Sequence, residues 1–399
     1  MPEDALPICS LDLYLASQYP AAFWSESRSK QSLHAHAAYY TEPDQELHSL
    51  LSGAAVFALT ERRLLAVDGS DQERWLNGMV TNTIKDLAVG HSNYNYALNS
   101  QGKILGDLTA YRLPDRILLS MDATQTHRLV EHFDHFIIMD DVTLTPLTER
   151  TAIGVAGPQA VSLLEQAGIP IPQGTQCFLD AADLAPHPVL VAQDYSPTEY
   201  GHIVPRFTLW VAECDAPALW DRLTAAGFAP VGAEALNALR ILDGVPHYGL
   251  DFNDQHLPHE VDAVRPLHFR KGCYLGQEIV ERIRSRAHVN RQLCVVELLD
   301  AASPELASAE RLLPELPLAV TVEPEQSQAA QGGAIMGEVT SLAVVPTQIG
   351  AQVGTRLIGL AMLRKEPVER QQPLTCAGRR LSVLSVADLM QFRSEAIAS

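Results

Sequence analysis

The chain has 399 residues, 47% of them apolar and 19% charged; at ~150 residues per domain that is two to three domains, enough to bury a core without disulfide staples. Mean hydropathy near zero excludes wholesale disorder, and no apolar run reaches the ~18 residues of a membrane-spanning helix. A net charge of −19 argues against direct nucleic-acid binding, which phosphate neutralisation drives, and Glu3 and Asp4 stand where a secretory signal would carry cations, so a cytoplasmic protein with no membrane partner is expected.

Residues 1–45 read as an N-terminal extension. Pro2, Pro7, Pro20 and the polar run Ser25–Ser32 fit a loose arm with one short helix, of which residues 1–30 are expected to be dispensable for folding. Regular structure starts near Gly53, with strands expected at Ala54–Leu59 and Arg63–Val67. Ser70 then opens a helix, with Glu73 completing a capping box. Asn93–Leu98 alternates polar and apolar as a half-buried strand does, Ser100-Gln101-Gly102 is a turn, and Ile104–Leu113 and Ile117–Met121 are strands. Thr124–Ile137 is an amphipathic helix and Val142–Leu147 a strand. His132 and His135 share a face of that helix with no third ligand, so no metal site is expected there.

An echo follows at an offset of 88 residues: Val67-Asp68-Gly69 before one helix, Val155-Ala156-Gly157 before another. Ile117–Met121 and its helix are matched by Phe207–Val211 and a helix from Ala216 to Ala226. The pattern predicts a duplicated α+β unit, each half a sheet with helices on one face. Its halves are about 46–150 and 151–290 of a domain spanning 46–290. Helices are also expected at Ala233–Asp243 and Gly276–Arg284, with Asp251–His259 a loop between them. Beyond about Arg291 the texture changes to short strands punctuated by proline and glycine. Leu293–Leu298, Ala334–Ser341, Thr355–Leu363 and Leu381–Val386 predict a C-terminal β-barrel over 291–399, with Ala301–Gln331 as a long loop.

The sharpest local signal is Phe269-Arg270-Lys271-Gly272-Cys273-Tyr274-Leu275-Gly276-Gln277-Glu278. Gly272 and Gly276 permit a tight backbone around the sulfur. Arg270 and Lys271 bring positive charge, and a following helix N-terminus adds a positive dipole end. All three favour the thiolate, the reactive form of cysteine; the same residues also suit a structural cysteine in a glycine-flanked turn. The stretch Arg265–Arg291 carries seven Arg/Lys and two acids, which suits an anionic ligand or an acidic partner. The other cysteines, Cys9, Cys177, Cys214, Cys294 and Cys376, form no C-x-x-C pair and read as reduced thiols.

This segment resembles the hallmark of the YgfZ family of folate-binding proteins, iron–sulfur cluster assembly or repair factors related to the aminomethyltransferase (T-protein) of the glycine cleavage system. The resemblance continues through Ile279-Val280-Glu281-Arg282 to Asn290-Arg291. It also covers Asn77-Gly78 with Thr81-Asn82, Gln101-Gly102-Lys103 with Asp107-Leu108, and Gly337 with Val339-Thr340-Ser341. It implies an α+β fold of duplicated ferredoxin-like units with a C-terminal β-barrel. It implies a tetrahydrofolate ligand, or a one-carbon derivative. It also implies iron–sulfur client proteins as partners, tRNA-modifying enzymes among them, with no turnover of the protein's own.

A folate needs hydrogen-bond acceptors for its pterin, apolar or aromatic walls and cations for its glutamate tail. The resemblance points to Asp107, Arg240 and Glu260 for the ligand and to Cys273, Lys271 and Asp107 for any chemistry. Two departures bear on the alternative reading, a folate-dependent aminomethyltransferase of the T-protein type. Where those enzymes carry an aspartate pair, this chain has Gly106 and Asp107, so Asp107 lacks the like-charge neighbour that keeps a proton on one member of a close pair. Where they carry a glutamate after Leu-Arg-Leu, this chain has Leu242 and then Asp243. Aminomethyltransferases also generally lack the cysteine motif.

Overall fold

The computed structural model describes residues 9–26, 35–195, 204–262, 264–286, 289–299, 315–322, 334–349 and 352–398. Helix α1 (Ser10–Gln18), the paired strands β1 (Phe23–Glu26) and β2 (Ala35–Tyr39) and helix α2 (Pro43–Ser52) precede two antiparallel-rich sheets. Strands β3 (Ala55–Ala58) and β4 (Arg62–Asp68) follow at once, yet they enter different sheets.

The first sheet has the order β5-β6-β7-β4-β8. After α3 (Gln72–Met79) come β5 (Ser92–Leu98), β6 (Ile104–Arg112), β7 (Ile117–Asp122), α4 (Ala123–His135) and β8 (Thr143–Pro146). Its outer face packs Leu65, Val67, Leu108 and Leu119 against Trp75, Leu76, Leu129 and Phe133 of α3 and α4. The second half repeats the plan with β9 (Arg150–Ala156), α5 (Ala160–Gln166), β10 (Phe178–Ala181), β11 (Val189–Gln193), β12 (Arg206–Ala212) and α6 (Ala216–Ala225), closed by β13 (Ala229–Pro230). Here the order is β10-β11-β12-β9-β3-β13. The duplication expected from the echo is present: β4 leads to α3 as β9 leads to α5, and β7 to α4 as β12 to α6. The inner faces of the two sheets meet through Leu64, Tyr111 and Leu118 on one side and Phe178, Leu190 and Trp210 on the other.

Helix α7 (Ala233–Leu242) and the short helices α8 (Pro258–Val261) and α9 (Gln277–Arg286) connect this body to a closed barrel, β14-β17-β16-β15-β18-β19. Its strands are β14 (Arg291–Leu299), β15 (Leu318–Val322), β16 (Ile335–Ile349), β17 (Gln352–Arg364), β18 (Leu374–Cys376) and β19 (Arg379–Val383), with α10 (Lys365–Glu369) after β17 and α11 (Val386–Ala398) last. The expected α+β fold with a C-terminal barrel is thus observed. Of the stretch Ala301–Gln331, expected as a loop, Leu318–Val322 is a barrel strand, and 301–314 and 323–331 lie outside the described residues.

Two local expectations fail. Ser70 does not cap α3: the helix begins at Gln72, and the Ser70 hydroxyl donates to Asp141 Oδ2 at 2.8 Å. Asp141 also accepts from the Ser70 N–H at 3.0 Å, the donor that a capping box would have given to the Glu73 side chain. Nor is the arm loose where it is described. Cys9, Leu11 and Leu15 are buried in the same core as Phe207, Leu219 and Trp220, and Asp12 accepts a hydrogen bond from Thr60 at 2.9 Å. Cys9 just before α1, with Leu11 and Leu15 inside it, forms a stripe too short to stand out by period, yet it seals the core of the second half. Leu15→Ala is therefore expected to cost ~2–5 kcal/mol in urea-unfolding measurements, and removal of residues 1–18 to lower the melting midpoint; an unchanged midpoint in both would show that α1 only rests on the surface.

Candidate functional site

The site forms where the inner face of the first sheet, beyond its contact with the second sheet, meets the 243–276 connection. Residues alternate along β6, so Leu108 and Ala110 enter the core while Asp107 faces the other way. Across the ladder Asp107 pairs with Tyr96, and Tyr94 lies two residues further along the same face. The Tyr94 hydroxyl donates to Asp107 Oδ2 at 2.7 Å and Gln125 Nε2 to Oδ1 at 2.7 Å. Burial first, and then nearby carboxylates, hold both Tyr94 and Tyr96 well above the usual phenol range, so both are hydrogen-bond donors at neutral pH.

Gly106 explains how Gln125 reaches the strand. A Cβ at position 106 would lie 2.3 Å from Gln125 Oε1 and 2.9 Å from a Leu129 methyl. The amide of buried Gln125 occupies the space in front of the strand, accepting from the Asp107 N–H at 3.0 Å while donating to its carboxylate. The single carboxylate noted in the sequence is therefore matched by a glutamine packed against its glycine neighbour.

Around Asp107 runs an aromatic wall. Tyr94 meets Tyr96 edge-on at 5.6 Å, Tyr96 meets Phe252 at 5.8 Å, and Phe252 meets Tyr248 at 5.3 Å. A guanidinium caps each end, Arg265 over Tyr94 at 5.0 Å and Arg128 over Tyr248 at 5.2 Å. Arg265 also lies 4.9 Å from the Tyr195 ring and is fixed by Asp262 at 2.6 Å. Past Arg265 a cavity of ≈ 550 Å³ opens between the body and the barrel, lined by Tyr195, Asp243, Val245, Asp262 and Cys294 among others.

The cysteine motif sits on the same part of the sheet. Leu275 N donates to Gly78 O at 3.0 Å and His268 N to Thr81 O at 3.2 Å, while Asn82 Nδ2 donates to Arg265 O at 3.0 Å. Gly276, at φ +82°, leaves so little room that a Cβ would stand 2.6 Å from Asn99 O and 3.1 Å from Gly102 Cα. The motif turn and the Ser100-Gln101-Gly102 turn thus pack backbone to backbone. Three segments singled out in the sequence, 77–82, 101–107 and 269–278, form one contiguous unit.

Within that turn the two motif side chains point apart. Cys273 is exposed. Lys271 is buried, its Nζ donating to Val80 O at 2.6 Å and to Asn82 O. Burial pushes the Lys271 ammonium down to about 7, opposed by those carbonyls and by the negative end of α3, which favour the charged form. Lys271 is thus an anchor of the turn, and of the two cations expected beside the sulfur only Arg270 is on the surface.

Arg240 and Glu260 are placed in ion pairs away from Asp107. Arg240 Nη1 contacts Asp251 Oδ2 at 2.7 Å and Nη2 donates to Ser341 Oγ at 2.6 Å. Buried Glu260 accepts from Arg291 Nε at 3.0 Å and from the Leu257 N–H at 2.9 Å. Tyr94, Gln125, Tyr195 and Asp262 carry no site signal in the sequence, and Arg265 stands out there only as the first residue of the basic stretch. Period-two alternation alone would have put Tyr94 and Tyr96 on the face of Asp107, whereas Gln125 and Arg265 reach it only through tertiary packing.

Residues 12–271 match the GCVT N-terminal domain, and the chain belongs to that family. It is 27% identical over 334 residues to an aminomethyltransferase of Frankia alni, spanning 81% of each chain. It is 26% identical over 245 residues to that of Rubrobacter xylanophilus, covering 60% of this chain and 64% of the relative. A putative chloroplastic transferase of Arabidopsis thaliana is 23% identical over 275 residues, 66% of this chain and 61% of that protein. The glycine cleavage system aminomethyltransferase T of Bartonella henselae superposes with a TM-score of 0.74 at 18% identity, covering 95% of this chain and 97% of that one. The fold is therefore aminomethyltransferase-like. Among the described residues, no helix is long and apolar enough to cross a membrane.

Two outcomes test this geometry. Iodoacetamide at neutral pH should label Cys273 and Cys214 before half-buried Cys177, and Cys9, Cys294 and Cys376 last. The first two are exposed, and burial raises the last three thiols, Cys294 and Cys376 to about 11. Peptide mass spectrometry reads the order, and a Cys273 slower than the buried thiols would contradict the exposed turn. For Lys271 the folded value lies below the unfolded ~10.4, so its contribution to stability is present above that range and is lost as pH falls toward about 7. The stability of wild type relative to Lys271→Met should accordingly rise between pH 7 and pH 10 in urea titrations; a flat difference would show that the two carbonyls keep the ammonium fully charged.

Proposed function

We propose that the protein binds a tetrahydrofolate-type ligand on the Asp107 face and works as a YgfZ-type maintenance factor for iron–sulfur enzymes, with Cys273 as its functional thiol. The observation that carries the reading is the seating of the exposed Cys273 turn on the strand unit that carries Asp107, through Gly276 against Gly102. An exposed cysteine on so closely packed a turn is presented to a partner, whereas a structural cysteine would be expected inside.

The residues at hand fit the ligand class. Each oxygen of Asp107 takes one side-chain hydrogen bond, and a carboxylate offers about four acceptor positions, so acceptors remain for the N–H groups of a pterin. Tyr94 and Tyr96 offer aromatic surface, and Arg265 a cation for a carboxylate tail. Arg240 and Glu260 would support the ligand by holding the connection that carries Arg265. Tetrahydrofolate, when bound, supplies nitrogens that accept or release a one-carbon unit; the chain's part is to orient it.

The second reading, transfer of an aminomethyl-derived one-carbon unit to the folate, is favoured by the names of the relatives. Against it stands the replacement of a carboxylate pair by Gly106, Gln125 and Asp107. That arrangement holds an acceptor in place and provides no second carboxyl to pass a proton to departing ammonia.

Calorimetric titration with tetrahydrofolate should show binding that Asp107→Asn weakens about 10- to 100-fold, the worth of a charge-assisted hydrogen bond of ~1.5–3 kcal/mol. Gly106→Ala should weaken it as well by displacing Gln125. In a glycine-cleavage assay with the lipoyl carrier protein, no turnover is expected; turnover would establish the transferase reading. Cys273→Ser should bind folate as wild type yet fail to restore a client iron–sulfur enzyme in cells lacking the protein, and full restoration would leave the motif a structural role.

A further inference from the structure

On the second half of the body, outside the residues assigned to the proposed folate and thiol roles, three donors of different chemistry meet. His187 lies in the loop between β10 and β11; Cys214 and Asp215 lie in the turn between β12 and α6. His187 Nδ1 stands 3.0 Å from Asp215 Oδ2 and 3.8 Å from Cys214 Sγ, and that sulfur stands 3.7 Å from Asp215 Oδ1. All three ligand atoms lie within 4.8 Å of one another. The His187 N–H also donates to Asp215 Oδ2 at 3.1 Å, which fixes the loop to the turn.

The spacing can be compared with what a metal asks. Zinc bonds of about 2.3 Å to sulfur and about 2.0–2.1 Å to nitrogen or oxygen, at tetrahedral angles, put sulfur about 3.5 Å from each of the other donors and nitrogen about 3.3 Å from oxygen. The sulfur–nitrogen and nitrogen–oxygen separations, 3.8 and 3.0 Å, differ from these by only a few tenths of an ångström, while the sulfur's 3.7 Å approach is to Oδ1, the carboxylate oxygen other than the one beside His187. A small shift of the exposed His187 and Cys214 side chains closes the difference. Thiolate, imidazole and carboxylate together match a borderline-soft divalent cation and suit magnesium or calcium poorly. Asp215 is buried and supplies the negative charge at a fixed point, while the other two face solvent.

The geometry points to a surface zinc-class site, with Cys214, His187 and Asp215 as three protein ligands and a fourth position open to solvent or to a partner's side chain. On binding, the Cys214 thiol proton passes to solvent, the imidazole carries its proton on Nε2, and Nδ1 binds the metal. An open fourth position makes this an exchangeable site. It lies on the second sheet, whereas Asp107 and Cys273 belong to the unit on the first.

The full-length reduced protein, freed of metal, is titrated with Zn(II) in the presence of a competing chelator, and separately with Co(II), whose thiolate adduct gives a charge-transfer band in the near ultraviolet. One Zn(II) per chain and a thiolate–cobalt band are expected. Cys214→Ser should abolish the band and weaken Zn(II) at least about tenfold, and His187→Gln should weaken Zn(II) comparably. Both side chains are exposed, so circular dichroism melts without metal should match wild type. Cys273→Ser controls for the other exposed thiol and should behave as wild type. Absence of zinc binding, or a band and affinity that survive both Cys214→Ser and His187→Gln, would overturn the site.

Discussion

Three acids along the 243–276 connection hold this molecule together. Asp243, Asp251 and Glu260 are all buried, and each is paired with arginine from another part of the chain. Asp243 holds Arg206 of β12 and Arg393 of α11; Asp251 holds Arg240 of α7; Glu260 holds Arg291 at the start of the barrel. Asp251 also accepts from Thr340 and Ser341 of β16, each at 2.6 Å. Burial alone would raise its carboxyl, but Arg240 and these hydroxyls outweigh it and hold it below the ordinary range. A buried pair gains little over a hydrophobic contact, whereas removal of one partner typically costs ~3–5 kcal/mol because a bare charge is left behind. The pairs therefore act mainly as specifications: the barrel can dock in the register that satisfies all three acids, and other registers strand a charge.

That docking determines the site. The connection carrying the three acids also carries Tyr248, Phe252, Asp262 and Arg265, which complete the aromatic and cationic wall begun by Tyr94 and Tyr96 on the first sheet. Arg240 and Glu260, expected from the resemblance to meet the ligand, stand in the frame that places Arg265. The first sheet supplies Asp107, the connection supplies its surroundings, and the barrel closes the far side of the cavity past Arg265.

Much of the scaffold is legible in the sequence because it is local. Strands with period-two alternation, the echo at 88 residues, and the change of texture after Arg291 each rest on residues near one another in the chain. What stayed hidden rests on distant pairings. β3 and β4 are consecutive yet belong to different sheets, and nothing in Ala54–Asp68 announces the exchange. Ser70 has the residue spacing of a cap, but Asp141, 71 residues away, takes its hydroxyl. In the site, Asp107 and the cysteine motif were readable, while Gln125 was not, because its role depends on a missing Cβ at Gly106. His187 and Cys214 are 27 residues apart, outside any metal-ligand spacing that a sequence advertises.

The cysteine motif then divides into a buried half and an exposed half that share one turn. Lys271 goes inward to the carbonyls at the end of α3, and Tyr274 is buried beside it with the ammonium 5.3 Å from its ring. Gly272 and Gly276, both at positive φ, reverse the backbone between these anchors and the helix that follows. What is left outside is Cys273. An ammonium in a cage of carbonyls costs desolvation that a purely structural turn could avoid with an apolar side chain. Its presence is explained by precision: the carbonyls hold the turn, and with it the exposed sulfur, over the unit that carries Asp107. On the proposed function, orienting a small ligand through one carboxylate and offering one thiol to a partner are separate tasks, and this packing would let a single unit support both.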